Sequence, residues 1–144
     1  MKRVALLAVF VLGLFGSGAV LATPSGVNRQ VVAEGGTEDD VSIEAKGPVT
    51  VRHAIVTIEP GGTTGWISWP GTLVATLKAG ELGYRNAAED DCAERTFIAG
   101  DSFVIAAGSV FDAVNPGSKT TDVHTVVFLP PGQEVKAEDT PANC

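Results

Sequence analysis

Residues 49–85 read VTVRHAIVTIEPGGTTGWISWPGTLVATLKAGELGYR. Runs rich in Val, Ile and Thr are separated by Glu59-Pro60-Gly61-Gly62, by Trp69-Pro70-Gly71 and by Lys78-Ala79-Gly80-Glu81. Branched side chains fit a pleated, half-buried surface, whereas Gly and Pro interrupt it, so the stretch reads as strands joined by tight turns. Alternation places Val49, Val51, His53, Ile55 and Thr57 on one face of the first strand. Thr50, Arg52, Ala54, Val56 and Ile58 fall on the other.

The same texture continues on both sides. Strands are predicted over 27–33, 49–58, 65–69, 72–78, 81–85, 95–98, 102–105, 110–114 and 121–129. Ala99-Gly100-Asp101 reads as a hairpin connection, and Pro130-Pro131-Gly132 closes the last strand. Beyond the first 22 residues no helical apolar period persists. Many short strands with Gly/Pro punctuation predict an all-β fold, a sandwich or barrel, in a single domain.

Residues 1–22 differ from everything after them. Met1-Lys2-Arg3 is a basic start, residues 4–21 carry no charge, and Ala22 supplies a small residue for cleavage. This pattern predicts a cleaved signal peptide, with an uncleaved anchor as the alternative. The mature body is then extracytoplasmic, secreted or held in a periplasmic or cell-wall space. The expected organisation is a leader over 1–22, an N-terminal strand and acidic linker over 23–46, and the β domain with its tail over 47–144. In an oxidising compartment the only two cysteines, Cys92 and Cys144, are expected to form a disulfide, the alternative being two free thiols.

Removing the leader takes Lys2 and Arg3 from the 10 basic residues, leaving 8 against 17 acidic ones. Such a surface repels nucleic acid and anionic lipid, so neither nucleic acid nor, after cleavage, a membrane is an expected partner. Thr63, Thr64 and Ser102 lack the context of an activated nucleophile. The Gly61-Gly62 turn lacks the Gly-Lys-Ser/Thr of a phosphate loop.

Pro60-Gly61-Gly62-Thr63-Thr64-Gly65-Trp66, then Trp69-Pro70-Gly71 and Gly80, resembles the first motif of the cupin family. Gly100, Gly108 and Asn115 fit the second motif, with Ala106 at its proline place. Tyr84, Cys92 and the run from Ala99 to Val104 resemble the spacer, so the resemblance covers 47–131. It implies a cupin-type jelly-roll barrel. It also implies pairing of two copies through their sheets, a homodimer, although no residue here marks an interface.

For function the departures matter more. The resemblance puts metal ligands at Ile67, Trp69, Leu73 or Val74, and Phe111, and all of these are apolar. Such side chains offer a divalent cation no lone pair, so no metal and no other cofactor is expected. The reading is a non-catalytic, metal-free module. It either binds a small apolar or aromatic molecule at Ile67, Trp69, Val74, Tyr84 and Phe111, or has a filled, purely structural barrel. The remaining alternative is a metal-dependent oxygenase or isomerase with relocated ligands, in which His53 and His124 meet from separate strands. Glu59, Glu94 or Asp112 would then complete the set.

Overall fold

The computed structural model describes residues 27–141 and 144. The leader reading of residues 1–22 lies outside them. Among the described residues the strands are β1 (Thr50–Ile58), β2 (Ile67–Ser68), β3 (Thr72–Ala79), β4 (Glu81–Asn86), β5 (Arg95–Ile98), β6 (Ser102–Ile105), β7 (Val110–Val114), β8 (Thr121–Leu129) and β9 (Lys136–Ala137). They form a four-stranded sheet, β1-β8-β3-β6, and a five-stranded sheet, β5-β4-β7-β2-β9. Every strand pairing is antiparallel. Residues 31–144 form one compact unit.

The core follows from alternation. Along β3, Leu73, Ala75 and Leu77 are 5, 2 and 0% exposed, while Val74 and Thr76 between them are only half-buried. Val123, Val127 and Leu129 of β8 join them from the same sheet, and Leu82, Tyr84, Phe97, Phe111 and Ala113 face them from the other. The inward side of β1 is the one carrying Val56 and Ile58, so Val51 and Ile55 remain exposed.

Turn chemistry sets the strand ends. Gly80, at φ +83°, makes the β3–β4 hairpin in a conformation that disfavours a Cβ. A single 3-10 turn, Asp90–Cys92, connects β4 to β5 and carries Cys92 to Cys144. Those two residues form a disulfide with Cα atoms 5.4 Å apart. Asn115 is fully buried and closes the far end. Its amide donates to the carbonyls of Ile58 and Lys119, both at 2.8 Å, and accepts from the Gly117 N–H.

Two expectations are corrected. No strand forms over 27–33, where Val27, Val31 and Val32 stay exposed. Apolar residues at 27, 31 and 32 do not alternate, so neither side offers a continuous apolar face to bury. The predicted strand over 65–69 contracts to β2, because Gly65 turns at φ +63° and Pro70 follows closely. Part of the acidic stretch before β1 is also held to the β domain. Gly36 N–H donates to Gly100 O at 2.9 Å, Ser102 N–H donates to Gly36 O at 2.6 Å, and Asp39 pairs with Arg95 at 3.1 Å.

Candidate functional site

The apolar residues singled out from the sequence are brought together, with one exception. Ile67 and Phe111 are directly paired across β2 and β7. Ile67 and Trp69 pack against the core to which Phe111 and Leu73 belong. Trp69 is fixed by its carbonyl, which accepts the Gly108 N–H at 2.7 Å. Val74 is the exception and a correction. It lies opposite to the inward Leu73 and Ala75, on the outer face of the four-stranded sheet.

These inward groups present carbon and one indole N–H, a donor only, so they do not suit a metal cation. Among the described residues, no group of three or more His, Cys, Asp or Glu side chains is placed to hold a metal ion.

An open space lies beside that cluster. A cavity of about 350 Å³ has Tyr84, Phe97 and Phe103 in its wall. Phe97 and Phe103 stack with centroids 4.1 Å apart and planes at 15°. Tyr84 lies against Phe103 at 5.4 Å and continues to Phe111 at 5.6 Å, joining the cavity wall to the apolar cluster. Ile67, Trp69 and Phe111 themselves do not line it. Burial, then the charge of Glu89, pushes the Tyr84 phenol up to about 12, so it remains a neutral hydroxyl, in contact with the Asn86 amide at 3.3 Å.

The rim is acidic. The strap of residues 36–41 crosses it with Glu38, Asp39 and Asp40, and Glu89 and Asp101 add carboxylates from the barrel. Arg95 is the single basic residue in the lining. Its guanidinium carbon lies 5.4 Å from the Phe97 ring centroid while the group pairs with Asp39.

His53 and His124 also come together, but elsewhere. In the β1–β8 register His53 opposes Val126 and His124 opposes Ile55. The histidines are diagonal neighbours, and both line a shallow groove with Ile55, Val74 and Val126. The carboxylates proposed to join them do not line this groove. Asp112 is held in the other sheet by Arg85 and by the Thr63 hydroxyl at 2.6 Å. Glu59 accepts from Thr120 at 3.1 Å.

Phe97, Phe103, Arg95 and the acidic strap were not singled out as site residues from the sequence. The acidic run had the ordinary signature of a solvated surface. The Gly36 bridge to Asp101 and the Asp39–Arg95 pair bring it to the cavity.

No protein-family model matches this chain, and no curated protein matches it. Solved structures do. An oxalate oxidase superposes with a TM-score of 0.52 at 26% identity, over 60% of this chain and 45% of that one. The DMSP lyase DddQ from Ruegeria pomeroyi superposes with a TM-score of 0.53 at 11% identity, over 60% of this chain and 42% of that one. The present chain therefore spans less than half the length of either enzyme. An uncharacterized conserved protein with a double-stranded β-helix domain from Klebsiella pneumoniae gives a TM-score of 0.52 at 22% identity, over 62% and 76% of the two chains. At those identities the latter two speak for the fold alone.

Two antiparallel sheets closed around one apolar core define the present chain as a double-stranded β-helix. Its fold is that of the cupins, as the paired glycine motifs imply.

Proposed function

We propose that this is an extracytoplasmic cupin-fold binding protein without a resident metal. It takes a small apolar or aromatic molecule in the cavity walled by Tyr84, Phe97 and Phe103. The observation that carries this reading is the position of the space. Room for a ligand lies beside Ile67, Trp69, Leu73 and Phe111, and those residues are packed as core. A volume of about 350 Å³ falls within the ~300–1,000 Å³ usual for small-molecule sites. The basic start, the uncharged run over 4–21 and the Cys92–Cys144 disulfide support the compartment.

Binding is tested on the purified protein by calorimetry against a panel of small aromatic and alkyl compounds of each charge. At least one class is expected to bind. Thr96→Trp, at the exposed rim, is expected to weaken that binding at least tenfold without lowering Tm. If no compound binds, the reading is overturned.

The likeness to an oxalate oxidase favours a second reading, an enzyme, and the chain's two histidines, His53 and His124, neighbours in the outer groove, are the ligands it would offer a metal. Mn, Fe, Zn and Ni are added in turn and bound metal is measured after dialysis. Substoichiometric retention supports a protein without a resident metal. Stoichiometric retention, lost in His53→Ala or His124→Ala, would establish the second reading instead.

A further inference from the structure

We infer that the ligand of the aromatic cavity is an organic cation, of the quaternary or tertiary ammonium class, carried on a small apolar or aromatic body. This rests on the binding reading above and adds the sign and kind of charge. Two independent features of the cavity point the same way, its ring faces and its field.

The ring faces come first. Aromatic π faces carry negative electrostatic potential and attract cations, most strongly where water is displaced. Tyr84 and Phe97 are almost fully buried, and Phe103 stacks on Phe97. The wall already takes a cation in this manner, because the Arg95 guanidinium lies over Phe97. An anion against the same faces would meet repulsion.

The field is the second feature. The lining holds five carboxylates and one guanidinium. Asp39 is neutralised by Arg95, and the Asp101 carboxylate accepts the Ile98 N–H at 2.7 Å. Glu38, Asp40 and Glu89 remain to act on an incoming charge. Glu89 already acts within this space, since its charge is the second cause of the raised Tyr84 phenol. Rim carboxylates of this kind are screened by solvent, so they select the sign of the ligand and contribute less to holding it.

Desolvation decides between kinds of cation. A primary ammonium brings three N–H donors that need partners. The Tyr84 hydroxyl already accepts from the Asn86 amide at 3.3 Å, and the rings of Tyr84, Phe97 and Phe103 supply the carbon of an otherwise polar lining. A quaternary or tertiary ammonium spreads its charge over alkyl groups and has at most one donor, so it loses less on entering. The apolar body gains burial against Phe103 whatever the charge.

The probes are phenyltrimethylammonium, its neutral isostere tert-butylbenzene and the anion 4-tert-butylbenzoate, titrated against the intact protein by NMR at low and high salt. The cation is expected to bind at least tenfold tighter than the neutral compound, with the anion weakest. The preference should shrink in high salt and in the rim double variant Asp40→Asn/Glu89→Gln, the first position exposed and the second half-buried. Phe103→Leu, at the half-buried ring of the wall, should reduce cation affinity more than neutral affinity. If that variant unfolds, the rim double variant carries the test alone. Arg95→Gln, which clears the face of Phe97, should tighten the cation several-fold. Equal or tighter binding of the neutral probe overturns the cation inference and leaves the binding reading standing. Failure of all three probes to bind, in the wild type and in Arg95→Gln, overturns the cation inference; the binding reading is then decided by the wider panel above.

Discussion

The carboxylate of Asp112, 3% exposed, is paired with the Arg85 guanidinium directly across the β4–β7 register. Its other oxygen accepts the Thr63 hydroxyl at 2.6 Å, and Arg85 in turn lies 5.4 Å from the Trp66 ring centroid. The Thr63–Trp66 segment is thereby fastened to the five-stranded sheet. Thr64 adds backbone bonding, its N–H donating to Ala113 O at 2.9 Å. Asp112, next to Phe111 in sequence, thus serves to anchor the loop that leads into β2.

Asp112→Ala removes one partner and leaves a half-buried guanidinium together with a stranded Thr63 hydroxyl. Breaking a buried pair costs ~3–5 kcal/mol, and the partial exposure of Arg85 lowers that to about 2–3 kcal/mol. Urea denaturation should show this loss, with Asp112→Asn milder because the amide still accepts from Thr63. A loss below about 0.5 kcal/mol in the alanine variant would show that the pair has no anchoring role.

Strand positions were legible in the sequence because turn residues have local causes. Gly80 and the 99–101 hairpin end strands wherever the chain is read, and β5 to β8 fall where predicted. The inward side of β1 was not legible, since Val51, His53, Ile55 and Val56, Ile58 give it two comparably apolar sides. Only pairing with β8, and through it β3, assigns Ile58 to the core. The apolar cluster of Ile67, Trp69 and Phe111 was legible through motif spacing. The cavity was not, because it joins β4, β5 and β6 to a strap about 45 residues or more away in sequence. Contacts at that separation leave no period in the chain.

The Cys92–Cys144 disulfide closes a loop with a sequence separation of 52, which on the chain-entropy estimate stabilises by about 4 kcal/mol. It also holds the tail in which β9 pairs with β2 and Glu138 accepts from Ser68 at 2.5 Å. Cys144→Ser should lower Tm by several degrees or more and speed proteolysis after Pro131 before the barrel itself is cut. An unchanged Tm would show that the tail contributes nothing to the fold.

Gly71 and Gly61 separate two reasons for glycine. A Cβ at Gly71 would stand 1.8 Å from the Phe128 carbonyl oxygen, on the backbone of β8, with no flexible side chain to yield. At Gly61 a Cβ meets open space, but the backbone sits at φ +75°. Gly61→Ala should therefore cost only the left-handed strain, ~1–2 kcal/mol. Gly71→Ala must displace β3 from β8 at the Thr72–Phe128 pair and should cost more than about 3 kcal/mol or prevent folding. Equal losses would contradict the close approach at Gly71.

Tyr84 is the sole tyrosine, so its ionisation can be followed directly by ultraviolet absorbance. Burial, then Glu89, raises its phenol from 10.0 to about 12. Between those values the unfolded chain has lost the phenolic proton and the folded chain has kept it. Stability then falls as pH rises, by about 3 kcal/mol across the interval, and is untouched by this group below pH ~10. Lysines titrate in the same range, so the measurement is the difference between wild type and Tyr84→Phe in alkaline urea denaturation. The variant should lose less stability than the wild type above pH ~10. A folded-state titration of the phenol near its ordinary value would mean that Tyr84 is open to water, against its burial in the cavity wall.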